Sequence, residues 1–289
     1  MIRAMYSAIS GLLNEQLAMD VVGNDIANVN TVGYKSKTTE FEATFAQASI
    51  PADNVHPVGI SVGLGSAVSA VDTDFSQGSF QRTNVTSNIG ISGSGWLKVN
   101  SGKGGSGTVY YTRAGNFVED SSGYLKTPDG DYLQGYGSFS SPNATDVATQ
   151  ASGPLTSNGD VRIPTYLSNG TDPVSAYAIG SDGAITITGQ SGTVETIGYL
   201  TLTSFPNEQA LNYTSNNNYQ VTSASGPGTE YRADSGPVGT TQSGVLELSN
   251  VDISTEFSNM IFAQRGFDAN AKVITTADQM LQTAVNIKQ

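Results

Sequence analysis

The sequence of 289 residues contains no cysteine and only one histidine, His56. The missing cysteines exclude disulfides, thiol catalysis and cysteine-ligated zinc. A histidine-ligated metal centre normally needs two or three imidazoles, and a Ser-His-Asp site would depend on this one residue, whose place between Val55 and Pro57 is typical of a solvated loop. We therefore expect no catalytic, cofactor-binding or metal-binding residues.

Charge is also scarce. Charged residues make up 13% of the chain, about half the usual share, and 25 acidic against 13 basic residues give a net charge of −12. Phosphate backbones and anionic lipids repel such a chain, so we expect no nucleic-acid binding. No apolar run reaches 18 residues, which predicts no membrane insertion. Residues 1 to 28 do not have the pattern of a secretory signal, so we expect any export to use another route.

Proline and glycine divide the chain into three parts. All ten prolines lie from Pro51 to Pro237, and 29 of the 33 glycines lie between residues 51 and 244. Because both residues disfavour helix interiors, the two ends can be helical and the middle cannot.

Both ends carry an apolar stripe with alternating spacings of three and four, which predicts a helix over residues 2 to 28 and a second one near the C-terminus. Asp252 or Ser254 can cap the second helix, with Glu256 in its first turn. The stripe residues are Ile2, Met5, Ile9, Leu12, Gln16, Met19, Gly23 and Ile26 at the first end, and Phe257, Met260, Gln264, Phe267, Ala271, Ile274, Asp278, Leu281 and Val285 at the second.

These helices have two interpretations. They can flank the central domain as ordinary packing elements, or they can pair with each other and with copies of the chain. The second interpretation accounts better for an apolar stripe on each helix, and it predicts self-assembly.

The middle of the chain predicts many short antiparallel strands. Alternating residues occur at 88–91, 96–99, 184–187 and 199–202, and turn sequences separate them at 120–123, 128–131 and 181–183. Turns about ten residues apart favour a sandwich or barrel of hairpins. The predicted fold is therefore mainly β, with terminal helices paired as a coiled-coil-like stem and a central antiparallel β domain.

We predict four regions along the chain. Residues 1–50 form the N-terminal helix and loop of the stem, and 246–289 form its C-terminal helix. Residues 51–137 and 176–245 form the β domain. Residues 138–175, poor in large apolar side chains, form an insertion or a small outer subdomain.

Two acidic pairs and one glycine-rich loop are the remaining candidates for binding chemistry. Asp72 with Asp74 and Asp129 with Asp131 lack the glycine and distal glutamate of a calcium loop, so we interpret them as turn carboxylates. The 102–107 loop has a misplaced lysine for a phosphate-binding loop, and no helix pattern follows it.

Short motifs lie at both ends and in the middle of the chain, at 5–12, 20–35, 78–80, 111–117, 130–136, 243–247, 249–252, 260–261, 263–267, 269–270 and 276–281. Together these motifs resemble those of the bacterial flagellar rod and hook proteins. Asp25 departs from this pattern, since asparagine is common there, and so does 95–97, where the family tends to have an acidic residue, glycine and two aromatics.

The resemblance implies a non-enzymatic subunit that self-assembles into a helical tube in the bacterial flagellum. Segments 74–79 and 133–136 favour the hook, whereas the short chain and the weak 138–175 insertion favour the distal rod protein of the basal body. The scarcity of large apolar residues in 138–174 also suits the changeable contacts of a curved hook. We expect the hook, with the rod as the alternative. A glycan-binding or polysaccharide-active β fibre protein is the alternative from another class, which leaves the two ends unexplained.

The implied partners are further copies of the chain, neighbouring flagellar axial and junction proteins, and the flagellar type III export apparatus, with assembly outside the cytoplasmic membrane. The predicted assembly interface consists of Ile2, Met5, Ile9, Leu12, Met19, Ile26, Phe257, Met260, Phe267, Ile274, Leu281 and Val285.

Overall fold

A computed structural model describes residues 2–50, 60–137, 159–168 and 170–287. Packing divides these residues into two units. The helix unit comprises the described parts of Met1–Val29, Lys35–Asp74 and Val251–Gln289, and the β unit comprises those of Asn30–Tyr34 and Phe75–Asn250. These limits differ from the predicted domain limits, because 60–74 pack with the helices. As functional domains, the four predicted regions stay a prediction.

Two long helices form at the chain ends, as predicted. Helix α1 spans Ile2–Ala27 and helix α2 spans Ile253–Asn286. The Asp252 side chain accepts hydrogen bonds from the backbone N–H groups of Ser254 and Thr255, which makes it the N-cap of α2 and satisfies two of the donors that a helix start leaves free. Glu256 lies in the first turn, where the helix dipole favours negative charge.

The helix unit also contains four strands in two antiparallel pairs. Strand β1 (Lys37–Ala43) pairs with β4 (Ser66–Thr73), and β2 (Ala46–Ile50) pairs with β3 (Ile60–Gly63). Both α1 and α2 lie beside these elements, and β1 and β4 contact α1 directly.

The β unit has sixteen strands, all paired antiparallel within the described residues. They are β5 (Phe80–Arg82), β6 (Ile89–Ser92), β7 (Trp96–Asn100), β8 (Val109–Thr112), β9 (Val118–Glu119), β10 (Leu125–Lys126), β11 (Tyr132–Gly137), β12 (Gly159–Asp160), β13 (Val174–Ile179), β14 (Ala184–Gly189), β15 (Val194–Ser204), β16 (Asn212–Ser215), β17 (Asn218–Gln220), β18 (Thr229–Arg232), β19 (Thr240–Ser243) and β20 (Val245–Glu247). Two short 3-10 helices lie at Lys103–Gly105 and Glu208–Ala210.

Twelve of these strands form one sheet, whose main path runs β13-β14-β15-β11-β7-β8-β17-β16. Strand β15, with 11 residues, pairs with β14, β11, β18 and β7 along its length. The other four form the pairs β19–β6 and β20–β5. The four strands predicted from alternation correspond to β6, β7, β14 and β15, and the predicted turns lie between consecutive strands, so the central antiparallel domain is confirmed.

The main hydrophobic core lies in the β unit and is rich in isoleucine, leucine and valine, among them Ile89, Leu97, Leu133, Ile185 and Leu202. A second cluster gathers aromatic rings around the buried Trp96, which makes edge contacts with Phe75 and Tyr219. Trp96 is thus an anchor of this second cluster.

Part of the predicted insertion belongs to this core. Val161, Ile163 and Leu167 are buried in the main cluster, and β12 pairs with β11. The sequence did not indicate this, because 138–175 has few apolar residues. Three buried side chains are enough to attach the described part of the segment to the core. Residues 138–158 lie outside the described residues, as does His56.

Candidate assembly interface

The twelve predicted interface residues on α1 and α2 differ in how far their side chains are buried. Eight are half-buried, and they recur every seven residues: Met5, Leu12, Met19 and Ile26 on α1, and Met260, Phe267, Ile274 and Leu281 on α2. The other three described side chains are largely exposed, with Ile9 at 43%, Phe257 at 51% and Val285 at 63% of full exposure. The side chain of Ile2 lies outside the described residues.

The two helices contact each other through small residues. Ala8 and Ala18 of α1 and Ala263 and Ala277 of α2 are buried. The helices run antiparallel, because position 11 lies opposite position 270 and position 15 lies opposite position 266: a methyl group added to Gly11 would come within 2.7 Å of Asn270 Nδ2, and one added to Gly266 would come within 2.5 Å of Glu15 Oε1. Side chains this small let the two backbones approach closely.

On α1 this contact face is displaced from the apolar stripe by one residue: it follows positions 8, 11, 15, 18, 22 and 25, whereas the stripe follows 9, 12, 16, 19, 23 and 26. One residue of an α-helix is a rotation of about 100°, so the α1 stripe borders the helix–helix contact. On α2 the stripe divides into two rows. Positions 257, 264, 271 and 278 are likewise displaced by one residue from the contact positions 256, 263, 270 and 277, whereas Met260, Phe267, Ile274 and Leu281 lie three or four residues from those positions and so belong to the contact face.

The stripe side of α1 has open space beside it. A side chain added at Gly23, a stripe position, would meet no atom of the described chain within 4 Å. Helix α2 has 34 residues against 26 in α1, and its last two turns carry the exposed side chains of Met280 and Val285. The helix unit therefore presents apolar surface that its own helices do not cover.

A cavity of about 340 Å³ lies among α1, β1 and α2 in the helix unit, and two glutamates line it. Burial raises the pKa of Glu15. Burial also raises the pKa of Glu256, with smaller upward contributions from Asp25 and Asp252 and a downward one from a hydrogen bond with Asn259. Asp25 is fully buried, and its Oδ2 accepts a hydrogen bond of 2.8 Å from the backbone N–H of Lys37. The departure from asparagine at this position thus adds a carboxylate beside Glu256.

The two acidic pairs of the sequence lie in different units, Asp72 and Asp74 in the helix unit and Asp129 and Asp131 in the β unit. Within the described residues, no three histidine, cysteine or acidic side chains come together as metal ligands. Asp131 lies in the β unit and accepts a hydrogen bond of 3.2 Å from the Asn218 amide. No helix among the described residues has the length and hydropathy needed to cross a bilayer.

Comparison with known proteins identifies the family. The model "Flagella basal body rod protein" matches residues 5–35, the "Flagellar hook protein FlgE/F/G D1 domain" matches 90–187, and the "Flagellar basal body rod FlgEFG protein C-terminal" matches 242–287. The flagellar basal-body rod protein FlgG of Bacillus subtilis is 35% identical over 299 aligned positions that cover all of both chains. The chain belongs to the flagellar rod and hook protein family.

Members of the flagellar rod and hook family are structural axial proteins and not enzymes, so the prediction of no enzymatic activity is confirmed. A second rod protein, FlgG of Borreliella burgdorferi, is 31% identical over 295 positions and all of both chains. The hook protein FlgE of the same organism is 27% identical over an alignment of 447 positions. The relatives therefore favour the rod over the hook, contrary to our first choice between the two.

Sequence reasoning missed two groups of residues. The small residues of the helix–helix contact have the same spacing of three and four as the stripe, so periodicity alone could have found them, but their low hydrophobicity hid them beside the larger stripe residues. The second group is a buried ion pair in the β unit, Arg113 with Glu247, whose side chains are 3% and 0% exposed. Both residues lie in family-like motifs, yet nothing in either motif indicates the pairing.

Proposed function

We propose that this protein is a subunit of the distal rod of the flagellar basal body, and that it assembles with copies of itself into a helical tube. The observation that supports the proposal is the apolar surface that the helix pair leaves uncovered. Small residues are buried inside the subunit, whereas the large apolar residues of the stripes are half-buried or exposed, which leaves part of their surface available to other subunits.

The choice of rod over hook is supported by chain length. Rod relatives align along their whole length with almost no extra positions. The hook relative needs 447 positions for a chain of 289, so it carries a large additional segment. This chain has no counterpart of that additional segment, which is why its length fits the rod relatives and not the hook relative.

Burial of the stripes supplies the energy of assembly. Each large apolar side chain that moves from water into an interface contributes about 1.5–3 kcal/mol when fully buried. The half-buried stripe residues contribute less than this, but every subunit repeats the contacts. Because the contacting surfaces differ on the two sides of such an interface, a rotation that does not close into a ring produces a helical filament.

Three further parts of the proposal extend to the surroundings of the tube. The chain has no cysteine, which suits passage as an unfolded chain through the flagellar type III export apparatus. Assembly then takes place outside the cytoplasmic membrane, against neighbouring axial and junction proteins. The two helices pair into a coiled-coil-like stem. Stems of neighbouring subunits pack together and form the inner part of the tube.

A pair of charge substitutions on α2 tests the proposal. Leu281→Asp places a carboxylate in the stripe, where desolvation without a partner costs several kcal/mol. Position 281 lies in the last two turns of α2, outside the β unit, so the fold of the β unit is left unchanged. We expect no tubes by electron microscopy of concentrated protein, and an unchanged circular dichroism spectrum of the β unit.

The matched control is Gln279→Asp. Two residues correspond to about 200° around the helix, so this variant adds the same charge at an exposed position on the opposite face. It should assemble like the native protein. Normal tubes from Leu281→Asp, or equal failure of both variants, would contradict an interface built on the stripe.

A further inference from the structure

The chain passes between the helix unit and the β unit at four points, after Val29, Tyr34, Asp74 and Asn250. On the β-unit side, these points adjoin three segments, 30–34, 75–79 and 247–250. We call them the exit segments. They are far apart in the sequence, yet contacts inside the β unit bring them together.

Glu247 belongs to one exit segment, 247–250, and contacts the other two. Its Oε1 accepts a hydrogen bond of 3.0 Å from the backbone N–H of Gly78. Its backbone carbonyl accepts one of 2.8 Å from the N–H of Gly33. Its Oε2 lies 3.6 Å from Nη1 of Arg113, which follows strand β8 in the sheet. The buried Glu247 side chain thus joins segment 75–79 to Arg113, and the backbone carbonyl of the same residue holds segment 30–34.

Additional hydrogen bonds brace the same arrangement. The Leu248 N–H donates to the Ser79 carbonyl over 2.8 Å. The Asn250 amide donates to Ser76 Oγ over 3.0 Å. Segment 30–34 is also attached to the β16–β17 turn, because the Asn217 amide donates a hydrogen bond of 2.8 Å to the Val32 carbonyl.

Backbone packing leaves little room for movement of the segments. Gly33 has a φ of +68°, which favours glycine, and a Cβ there would come within 2.6 Å of the Ala114 backbone nitrogen. A Cβ on Gly78 would overlap the Leu248 carbonyl oxygen. The segments therefore lie directly against one another and against the residue that follows Arg113.

The cost of burying these charges indicates a role beyond stability. An ion pair in a protein interior adds little net stability, because desolvation offsets the attraction, and apolar residues of similar volume serve as well. A carboxylate offers something that an apolar side chain does not, namely an acceptor with a fixed direction. Arg113 lies 5.4 Å from the Trp96 ring centre, which holds the guanidinium against the aromatic cluster.

We propose that Glu247, oriented by Arg113, is a positioning residue that locks the exit segments into one block, so that the chain leaves the β unit from fixed points. Three separate family-like motifs, at 20–35, 78–80 and 243–247, converge on this block, together with the 111–117 motif. The role concerns the subunit itself and does not depend on rod assembly.

Hydrogen exchange on the dilute native chain and on Glu247→Gln tests the inference. Glutamine keeps the size of the side chain and removes its charge. We expect exchange in segment 75–79 to rise by about 10- to 100-fold, because the hydrogen bond from Gly78 loses its charged acceptor and the buried Arg113 loses its counter-charge. The exchange rates of amides in β7 and β14, which lie in the main core, should rise by a smaller factor, because the opening is local.

The matched control is Glu230→Gln, which weakens another ion pair of the β unit, between Glu230 Oε1 and Lys98 Nζ at 2.7 Å. Its exit segments should keep native protection. If Glu247→Gln raises exchange by one common factor everywhere, or if both variants open the exit segments equally, the pair is an ordinary core contact and the inference is wrong.

A second substitution covers the case in which Glu247→Gln does not fold. Glu247→Asp keeps the charge opposite Arg113 but shortens the side chain by one methylene, which withdraws it from Gly78. Faster exchange in 75–79 with native protection in the main core would support the lock, and native protection of 75–79 would overturn it. Because this readout uses the unassembled subunit, a failure of the native chain to form tubes would count against the proposed function and leave this inference standing.

Discussion

At the scale of single residues, the β unit depends on positions where only glycine fits. Gly115 lies against the backbone of Ile89: the Gly115 carbonyl accepts the Ile89 N–H over 2.9 Å, and a Cβ on Gly115 would overlap the Ile89 carbonyl oxygen. A backbone oxygen cannot swing aside as a long side chain can. The Arg113-to-Phe117 turn therefore requires the missing side chain.

We predict that Gly115→Ala lowers the free energy of unfolding of the β unit by about 1–3 kcal/mol or more, the usual range for overpacking. Gly159→Ala is the control, because an added Cβ there meets no atom of the described chain within 4 Å. It should change stability by less than about 0.5 kcal/mol. Urea unfolding followed by tryptophan fluorescence measures both, and equal stabilities of the two variants would contradict the packing argument.

A buried carboxyl makes the β unit sensitive to pH. Burial raises the pKa of Asp131, the nearby Asp129 raises it further, and the hydrogen bond from Asn218 lowers it less. A raised pKa in the folded state means that the protonated form favours folding. This stabilisation is complete below the pKa of the unfolded chain, about 4, and is lost as the pH rises through the folded value.

We therefore predict that Asp131→Asn is more stable than the native protein at pH 7. Asparagine keeps the shape, removes the buried charge and can still accept from Asn218. The difference should shrink as the pH is lowered toward 4, where the native carboxyl is protonated as well. Thermal unfolding across this range measures it, and a native protein that is the more stable of the two at pH 7 would argue against a destabilising charge.

At the scale of elements, the two units differ in how much apolar surface they bury. The core of the β unit has eighteen buried hydrophobic residues, most of them large. Among the described residues of α1 and α2, the buried hydrophobic residues are Ala8, Ala18, Val22, Ala263 and Ala277. Alanine contributes little more than one methyl group, and helices gain most of their stability from packing. The helix pair is therefore marginal without further contacts.

Hydrogen exchange of the dilute native subunit should reflect this difference. We predict fast exchange in α1 and α2 and slow exchange in β7, β14 and β15, because the helices open locally while the sheet opens only on global unfolding. Both helices should become protected on assembly. Strong protection of both in a dilute monomer would mean that the subunit stabilises its own helices and leaves no energetic role for the stripes.

Elements with a regular pattern were predictable from the sequence, and the contacts between them were not. Helix α1 ends at Ala27, one residue before the predicted limit. The helix was predictable because its apolar residues repeat with the period of an α-helix. Periodicity also predicted an apolar face, but hydrophobicity alone gave no means to see that Ala8 and Gly11 form the contact within the subunit. Short strands such as β12 were missed, because two residues carry no alternation.

At the scale of the whole molecule, the motifs indicate the family, and the chain length favours the rod over the hook. The motif at 20–35 indicates the family but is shared by rod and hook relatives, so its details could not separate them. The composition of 138–174 suited the hook because it was considered without its packing. Val161 and Leu167 lie in the core, so part of the described residues in 159–175 is not available for changeable outer contacts.

A helical reconstruction by electron cryomicroscopy of tubes assembled from the native chain tests the central claim most directly. We predict straight tubes in which the half-buried stripe residues, Met5, Leu12, Met19 and Ile26 with Met260, Phe267, Ile274 and Leu281, contact neighbouring copies. Tubes held together by the β units alone, with these side chains facing solvent, would contradict the account, and curved tubes would return the hook to first place.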